Sequence, residues 1–315
     1  MRPHANTAGS ASEPGVLVVL GSTATGKTAA SVTVAKQIEG EIISADSRAF
    51  FAGLDIVTAR PTLEEQSSIP HHGLGIVPWT LSYDAMAFRR DVSRWVLEIV
   101  GRNRVPMLVG GGTLYVGAVL RGLFEGPSRS EVLRSQMAQQ AMDTLYGRLL
   151  AVDPEAARSI HPNDRLRVER ALEVFATTGQ PISALQPLAE PLPFRFTVVG
   201  LRRERTEHRA AIVSRTRRMI DTGLLDEVRT LLAAGLSPQH QAYRTIGIPE
   251  MAAVIDGRMS LDKAVDRMVT QTWALARRQN AWFKRDRNVH WIEVTGRMAD
   301  DVADTIVSRW RGERR

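Results

Sequence analysis

The chain has 315 residues, 43% of them hydrophobic, so it is long enough to bury the core of one large or two modest domains. It contains no cysteine, which excludes disulfides and cysteine-ligated metal centres and fits a cytoplasmic protein. No apolar run is long enough to span a membrane, and residues 1–14 are expected to form a disordered tail. The net charge of +7 suggests a polyanionic partner.

Residues 15–121 alternate short apolar runs with amphipathic stretches, a pattern typical of parallel α/β sheets. Strands are predicted at residues 16–20, 41–44, 74–77 and 106–112. Helices are predicted at residues 28–38, 83–100 and 114–120. The expected fold class is therefore α/β, with a parallel sheet and helices on both of its faces.

Residues 122–192 show no convincing strand pattern and are rich in polar helical stretches. The predicted helices there cover residues 130–152, 154–160 and 164–178, the last of them closed by Gly179. After residue 193 the strand and helix patterns return, with strands predicted at 194–201 and 289–294, and helices at 207–222, 224–234, 262–284 and the C-terminal end. We expect an α/β core formed by residues 15–121 and 193–315, with a helical domain inserted at 122–192.

The first predicted strand runs into the pattern Gly-x-x-x-x-Gly-Lys-Thr and then into a predicted helix, which is the context of a phosphate-binding P-loop. Backbone N–H groups and the helix dipole attract phosphate oxygens in such a loop. Lys27 adds a mobile positive charge, and the Thr28 hydroxyl can bind Mg²⁺. The predicted phosphate-binding residues are Gly21, Ser22, Thr23, Ala24, Thr25, Gly26, Lys27 and Thr28.

ATPases and GTPases usually carry a Mg²⁺-binding acidic residue at the end of a neighbouring strand. The predicted strand at 106–112 ends in three glycines instead, and the acid closest to a strand end is Asp46. A loop that holds phosphates without this hydrolytic partner favours a transferase over an NTP-driven machine.

Several further segments, in order along the chain, resemble the tRNA dimethylallyltransferase family. GSTATGKT is similar to the family's GPTASGKT, SADSRAFFAGLDIVTARP to its DSRQVYRGLDIGTAKP segment, and VGGGTLY to its VGGTGLY. The pair His71-His72 and the strings HPNDRLRVERALEVFATTGQPIS, GLLDEVRTLLAAGL, RTIG and LARRQNAWFKRD follow the same pattern. The likeness runs from residue 16 to about residue 290.

The resemblance implies a P-loop NTPase-like fold and an enzyme, a prenyltransferase. It would transfer a dimethylallyl group from dimethylallyl diphosphate to the exocyclic amine of an adenosine next to the tRNA anticodon. The P-loop would then hold a leaving diphosphate with Mg²⁺ as cofactor, and not ATP. The implied partners are tRNA and dimethylallyl diphosphate, and the protein is expected to be a monomer.

The resemblance also implies roles for single residues. Asp46 matches the family's general base, which takes the proton that the adenine amine loses. Arg215 matches a diphosphate-binding arginine. The positions that match tRNA-contacting residues are Asp46, Ser47, Arg48 and Ala49 at the target nucleotide, and Arg167 and Arg170 at the anticodon stem.

Several departures from the family pattern fall near the expected channel. The family's VGGT threonine aligns with Gly112, which leaves Thr113, one residue further on, as the candidate catalytic threonine. Ala49 replaces a glutamine that would read the base, and Ile248 replaces a tyrosine. These departures suggest a divergent member with a changed acceptor or a lower activity.

Three alternatives stay open at this point. The same chemistry could modify a free adenine nucleotide, although the insertion and the basic stretch at 193–290, with 18 Lys and Arg against 10 Asp and Glu, favour tRNA. A P-loop small-molecule kinase is disfavoured by the missing strand-end acid. An inactive RNA-binding paralogue would keep the basic surface without the catalysis.

Overall fold

The computed structural model describes residues 13–313, so most of the predicted tail at 1–14 lies outside the described residues. The chain divides into two compact units, one comprising the residues up to Val116 and from Pro193 on, the other Gly117–Leu192. None of the helices within residues 13–313 has the length and apolar character needed to cross a membrane.

Within the described residues, six strands of the first unit form one sheet in the order β3-β2-β4-β1-β5-β6. Every neighbouring pair is parallel. The strands are β1 (Gly15–Gly21), β2 (Gly40–Ser44), β3 (His71–His72), β4 (Val105–Gly110), β5 (Arg195–Arg202) and β6 (His290–Glu293). The predicted parallel α/β fold is confirmed.

Helices surround the sheet and build the second unit. In chain order they are α1 (Lys27–Ile38), α2 (Leu63–Gln66), α3 (Ala85–Gly101), α4 (Thr113–Leu120), α5 (Glu131–Ala138), α6 (Met142–Val152), α7 (Pro154–Ser159), α8 (Arg165–Thr178), α9 (Ile182–Leu185), α10 (Arg205–Asp221), α11 (Leu224–Ala233), α12 (Ile248–Ile255), α13 (Leu261–Phe283) and α14 (Ala299–Glu313). The division between the units falls within α4, and the boundary expected at residues 121 and 122 lies just past the end of that helix.

The central strand β1 is covered on both faces. Leu17 and Val19 pack in a core that includes residues of α1 and α14. The alternate residues Val16, Val18 and Leu20 are also no more than 1% exposed. Because successive side chains of a strand point to opposite faces, both faces of the sheet are buried here, as parallel sheets require.

The second unit, described in full, consists of helices without strands. Beside its apolar core lies the fully buried carboxylate of Glu173, which accepts hydrogen bonds from the Arg134 and Arg170 side chains and from the Ser130 N–H. Burial alone would raise the pKa of Glu173, but these hydrogen bonds lower it to about 2. The carboxylate is therefore ionised, and the ion cluster links α5 to α8.

The single helix predicted at 130–152 is wrong, because the structure has two helices, α5 and α6, in its place. The guanidinium of Arg165 donates hydrogen bonds to the carbonyl oxygens of Met137, at 3.1 Å, and Gln140, at 2.6 Å. Both carbonyl oxygens lie at or just past the end of α5, where the regular helical hydrogen-bond pattern stops. A side chain from α8 thus stabilises the break.

The strand predicted at 74–77 is also wrong. The third strand of the sheet is β3, just before it, and Val77 forms only an isolated bridge with Phe51. Gly73 and Gly75 have φ angles of 83° and 62°. Strands have negative φ throughout, so the chain turns here instead of extending.

Candidate active site

A cavity opens at the carboxyl ends of β1, β2 and β4, the edge at which α/β sheets bind ligands. Its wall includes Thr23, Lys27 and Thr28 of the phosphate loop, Asp46 after β2, and Arg215 from α10. The strand order places β4 between β1 and β2, so the loops that follow these strands meet. Residues predicted separately for phosphate, metal and proton binding therefore line one cavity.

The phosphate loop at residues 21–28 turns tightly between β1 and α1. The Thr25 hydroxyl donates a hydrogen bond to the Ser22 carbonyl at 2.9 Å. Gly26, the N-cap of α1, has a φ of 84°, which glycine adopts without the strain of a side chain. The N-cap of α1 forms no side-chain hydrogen bond with the helix. The first N–H groups of α1 are therefore available for an anion.

Lys27 carries the charge of this loop. Its ammonium donates a hydrogen bond to the Ser22 carbonyl at 2.7 Å. Burial lowers the pKa of Lys27 to about 8, the Asp46 carboxylate opposes this shift, and the Arg215 guanidinium adds to it. Lys27, Asp46 and Arg215 are therefore close enough to influence one another, and the ammonium is charged below about pH 8.

The low pKa of Lys27 predicts a pH dependence of anion binding. Diphosphate binds the charged ammonium better than the neutral amine, so affinity should be full below pH 8 and fall as the pH rises through about 8. In Lys27→Arg the affinity for diphosphate should not fall above pH 8, because a guanidinium stays charged. This holds even if the variant binds diphosphate more weakly than the parent at every pH. Calorimetric titration of inorganic diphosphate between about pH 6.5 and 9.5 measures the effect, and a flat profile for the parent would contradict it.

Arg215 connects the phosphate loop to a second loop of the cavity wall. Its Nη1 donates to the Thr23 hydroxyl at 2.7 Å, and its Nη2 donates to the Thr58 carbonyl at 3.0 Å. Glu227 of α11 holds this second loop by accepting the N–H groups of residues 55, 56 and 57 at 2.7–3.0 Å. Burial lowers the pKa of Arg215, and the Asp46 carboxylate opposes this shift. Arg215 stays charged nevertheless, because a guanidinium is not deprotonated in proteins.

Gln279 of α13 joins two further edges of the cavity. The Thr23 N–H donates to its Oε1 at 3.0 Å, and its Nε2 donates to the Gly111 carbonyl at 2.8 Å. The Gln279 side chain is thus satisfied on both sides, by the loop after β1 and by the turn after β4. It holds these two segments at a fixed separation.

The turn after β2 carries the four residues predicted to contact the target nucleotide. Asp46 is exposed, and its Oδ1 accepts the Arg48 N–H at 2.9 Å. The Arg48 guanidinium donates to the Gln241 carbonyl at 2.9 Å. Ser47 is half-buried, and Ala49 is buried in the cavity wall. The four residues form one turn beside the cavity, and their contact with a nucleotide stays a prediction.

The turn after β4 packs closely against this segment. The Gly112 N–H donates to the Ala45 carbonyl at 3.1 Å, and a Cβ on Gly112 would lie 2.6 Å from the same oxygen. Thr113 begins α4 and is not among the described residues that line the cavity. Its catalytic role stays a prediction. The third departure, Ile248, is fully buried at the start of α12.

Gly112→Thr is expected to lower activity and stability. The added side chain collides with the Ala45 backbone and must displace the turn that carries Asp46, and such overpacking is destabilising. We expect kcat/KM to fall by about tenfold or more. Gly101→Thr is the matched control, because nothing lies within 4 Å of a Cβ at that position. A rate above that of the parent would instead indicate a site weakened by the missing hydroxyl.

His71 and His72 point to opposite faces of β3 and have different surroundings. His71 lines the cavity, and its Nδ1 lies 2.8 Å from the Ile69 carbonyl oxygen. Burial lowers the pKa of His71, whereas this hydrogen bond raises it. His72 lies 2.8 Å from a carboxylate oxygen of Glu41, which also pairs with Arg102 at 2.7 Å. The first histidine belongs to the cavity wall and the second to an ion cluster.

Arg167 and Arg170 both lie on α8 in the second unit, but their surroundings differ. The Arg167 side chain is 72% exposed and lies 3.3 Å from Asp164, the N-cap of the helix. The Arg170 side chain is 31% exposed and donates to buried Glu173 and to the Pro127 carbonyl. Arg167 is therefore the more available of the two for a phosphate. A role in tRNA binding stays a prediction for both.

Three residues that shape the cavity were missed by sequence reasoning: Gln279, His208 and Glu227. Each forms hydrogen bonds with a loop backbone across a long stretch of chain, with separations of 256, 185 and 172 residues. No local pattern marks such a partner. Gln279 and Glu227 do lie within family-like strings, LARRQNAWFKRD and GLLDEVRTLLAAGL, which could have drawn attention to them.

Fold and site together define an α/β P-loop protein whose cavity combines an anion-binding loop, several cationic side chains and a carboxylate. The model of the IPP transferase family matches residues 49–286. A tRNA dimethylallyltransferase of Geobacter metallireducens is 38% identical over 298 residues, which cover 93% of this chain and 96% of the relative. A tRNA dimethylallyltransferase 2 of Syntrophus aciditrophicus is 40% identical over 293 residues, covering 90% and 94%.

Among solved structures, a tRNA delta(2)-isopentenylpyrophosphate transferase from Staphylococcus epidermidis matches with a TM-score of 0.70 and 32% identity. The match covers 96% of this chain and 100% of that one. The chain belongs to the IPP transferase family, and it is a prenyltransferase. The resemblance found in the sequence, the fold and the enzyme class are thereby confirmed.

Proposed function

We propose that this enzyme transfers a dimethylallyl group from dimethylallyl diphosphate to the exocyclic amine of an adenosine next to the anticodon of tRNA. The observation that carries the proposal is that Lys27, Thr28, Arg215 and Asp46 line the same cavity. Three of these groups suit a diphosphate, and the fourth suits the proton of an amine. The curated relatives named tRNA dimethylallyltransferase support the same reaction.

The chemistry assigns one task to each charged group. The bond between the prenyl C1 and the bridging oxygen breaks, and its electron pair leaves with the diphosphate. Lys27 and Arg215 stabilise the charge that grows there. The adenine nitrogen forms the new bond to C1, and Asp46 accepts the proton that this nitrogen loses. Asp46 is exposed in the cavity, so an entering base can reach it.

Mg²⁺ fits the residues present. No cluster of three or more His, Cys, Asp or Glu suited to a metal occurs in the described part of the chain. Mg²⁺ at phosphate sites commonly takes only one or two protein oxygens and fills its shell with substrate phosphates and water. Thr28 would provide a hydroxyl ligand beside the diphosphate. When bound, the ion would neutralise negative charge on the leaving group.

The acceptor is assigned to tRNA. The basic stretch at 193–290 and the helical unit give a polyanion more surface than a mononucleotide needs. An adenosine in the anticodon loop would leave its stack to reach Asp46, as bases do for enzymes that modify them. The enzyme is proposed to act as a monomer in the cytoplasm.

Salt dependence of tRNA binding should separate Arg167 from Arg170. Arg167→Ala should flatten the slope of log affinity against log salt by about one, because one phosphate contact is lost. Arg170→Ala should in addition lower the unfolding temperature, since it removes a partner of buried Glu173. Filter binding at several salt concentrations, with thermal unfolding of both variants, checks this. Equal slopes for parent and Arg167→Ala would remove Arg167 from the interface.

The proposed function is tested by comparing acceptors in vitro. Dimethylallyl diphosphate should prenylate an anticodon stem-loop much faster than free AMP, with no ATP consumed. Equal rates with AMP would favour a nucleotide-modifying enzyme, and ATP consumption with a nucleoside would favour a kinase. Binding of the stem-loop without any transfer would point to an inactive paralogue.

A further inference from the structure

His208 of α10 is a buried histidine next to the phosphate loop, with 1% of its surface exposed. Its Nε2 lies 2.7 Å from the Thr23 carbonyl oxygen. A carbonyl oxygen only accepts hydrogen bonds, so Nε2 carries the proton and donates it. The ring also packs edge-on against Trp273 of α13, with centroids 5.5 Å apart and planes at 77°. Both the tautomer and the orientation of the ring are therefore set.

The imidazole is neutral at neutral pH. Burial lowers the pKa of His208, the hydrogen bond to Thr23 opposes the shift, and the nearby cations Arg203 and Lys27 lower it further. His208 is also not among the described residues that line the cavity. A neutral side chain outside the cavity wall does not act as a charge on the ligand. Its contribution runs through the hydrogen bond to Thr23.

Thr23 is held at three different atoms by three side chains. Its N–H donates to Gln279, its hydroxyl accepts from Arg215, and its carbonyl accepts from His208. The three partners come from α10 and α13, and none belongs to the loop itself. An anion-binding loop works only when its N–H groups converge on one point, so fixing the loop in advance lowers the cost of binding.

We propose that His208 is a positioning residue for the diphosphate of the prenyl donor, acting through the carbonyl of Thr23. The identity of the donor rests on the proposed function. The role of His208 itself concerns only the binding of diphosphate. His208 is expected to influence donor affinity more than the chemical step. Binding of tRNA should not depend on it.

Two amide substitutions test the proposal as a matched pair. In His208→Gln the amide nitrogen can take the place of Nε2 and donate to Thr23. In His208→Asn it is one methylene short and falls nearer the place of Nδ1. His208→Leu has no hydrogen-bond donor at all. Calorimetry with inorganic diphosphate and Mg²⁺, KM for dimethylallyl diphosphate, kcat and thermal unfolding are measured for each.

His208→Asn and His208→Leu should bind diphosphate about three- to tenfold more weakly, the range of one hydrogen bond, and should raise KM more than they lower kcat. His208→Gln should stay within about twofold of the parent. Unchanged diphosphate affinity in His208→Asn and His208→Leu would overturn the proposal. Equal losses in all three variants, or failure of both His208→Asn and His208→Leu to fold, would also overturn it and assign the histidine to core packing.

Failure of the proposed function would look different. Lys27→Ala serves as the reference for lost diphosphate binding. If the parent binds diphosphate but does not prenylate tRNA, the proposed function fails while the role of His208 can still be measured by calorimetry. If the parent prenylates tRNA and His208→Asn matches it in KM and diphosphate affinity, only the inference about His208 fails.

Discussion

Lys27→Ala should abolish prenyl transfer, with kcat/KM falling by at least about three orders of magnitude. The substitution removes a half-buried ammonium from the loop and leaves the departing diphosphate without its main mobile cation. Because charge on the leaving group grows toward the transition state, the loss should appear in kcat as well as in KM. Steady-state and single-turnover rates with dimethylallyl diphosphate and an anticodon stem-loop measure the changes in KM and kcat.

Lys36→Ala provides the matched control for this substitution. Lys36 lies on the same helix, α1, in its last turn, and is exposed. Its removal changes the net charge by the same amount but leaves the phosphate loop untouched, so activity should stay close to that of the parent. Near-normal turnover by Lys27→Ala would show that the loop does not hold the donor.

Asp46→Asn should bind tRNA as well as the parent while the rate of transfer falls by roughly 10²- to 10⁴-fold, the usual scale for a general base. The amide keeps an Oδ1 that can accept the Arg48 N–H, so the turn after β2 should keep its shape. What the amide cannot do is take the proton from the adenine amine. The expected signature is an unchanged Kd for tRNA with a greatly reduced single-turnover rate.

Asp262→Asn controls for the loss of one negative charge. Asp262 is exposed in the first turn of α13, and its substitution should affect neither tRNA binding nor the rate. The opposite pattern for Asp46→Asn, a large loss of tRNA affinity with an unchanged single-turnover rate, would make Asp46 a binding residue and leave the reaction without its base.

The phosphate loop could be predicted from the sequence because everything that forms it is local. The apolar run of β1, the glycines, Lys27 and the start of α1 follow one another along the chain, and the same parts occupy the same positions in the structure. The closeness of Asp46 to this loop was predictable as well. Carboxyl ends of parallel strands meet at one edge of a sheet, so an acid that follows β2 reaches a site that follows β1.

Features that depend on distant partners were not predictable. Thr23 is held by Gln279 and His208, which are distant in sequence and carry no pattern that announces the contact. The break between α5 and α6 is stabilised by Arg165 from a later helix. The predicted strand at 74–77 failed for a local reason, since its glycine adopts a positive φ that hydrophobicity does not reveal.

Mass spectrometry of tRNA nucleosides from cells with and without this gene measures whether the enzyme prenylates tRNA. We expect a prenylated adenosine that disappears on deletion and returns when the parent gene is restored, but not when the restored gene carries Lys27→Ala. An identical set of prenylated nucleosides with and without the gene would contradict it.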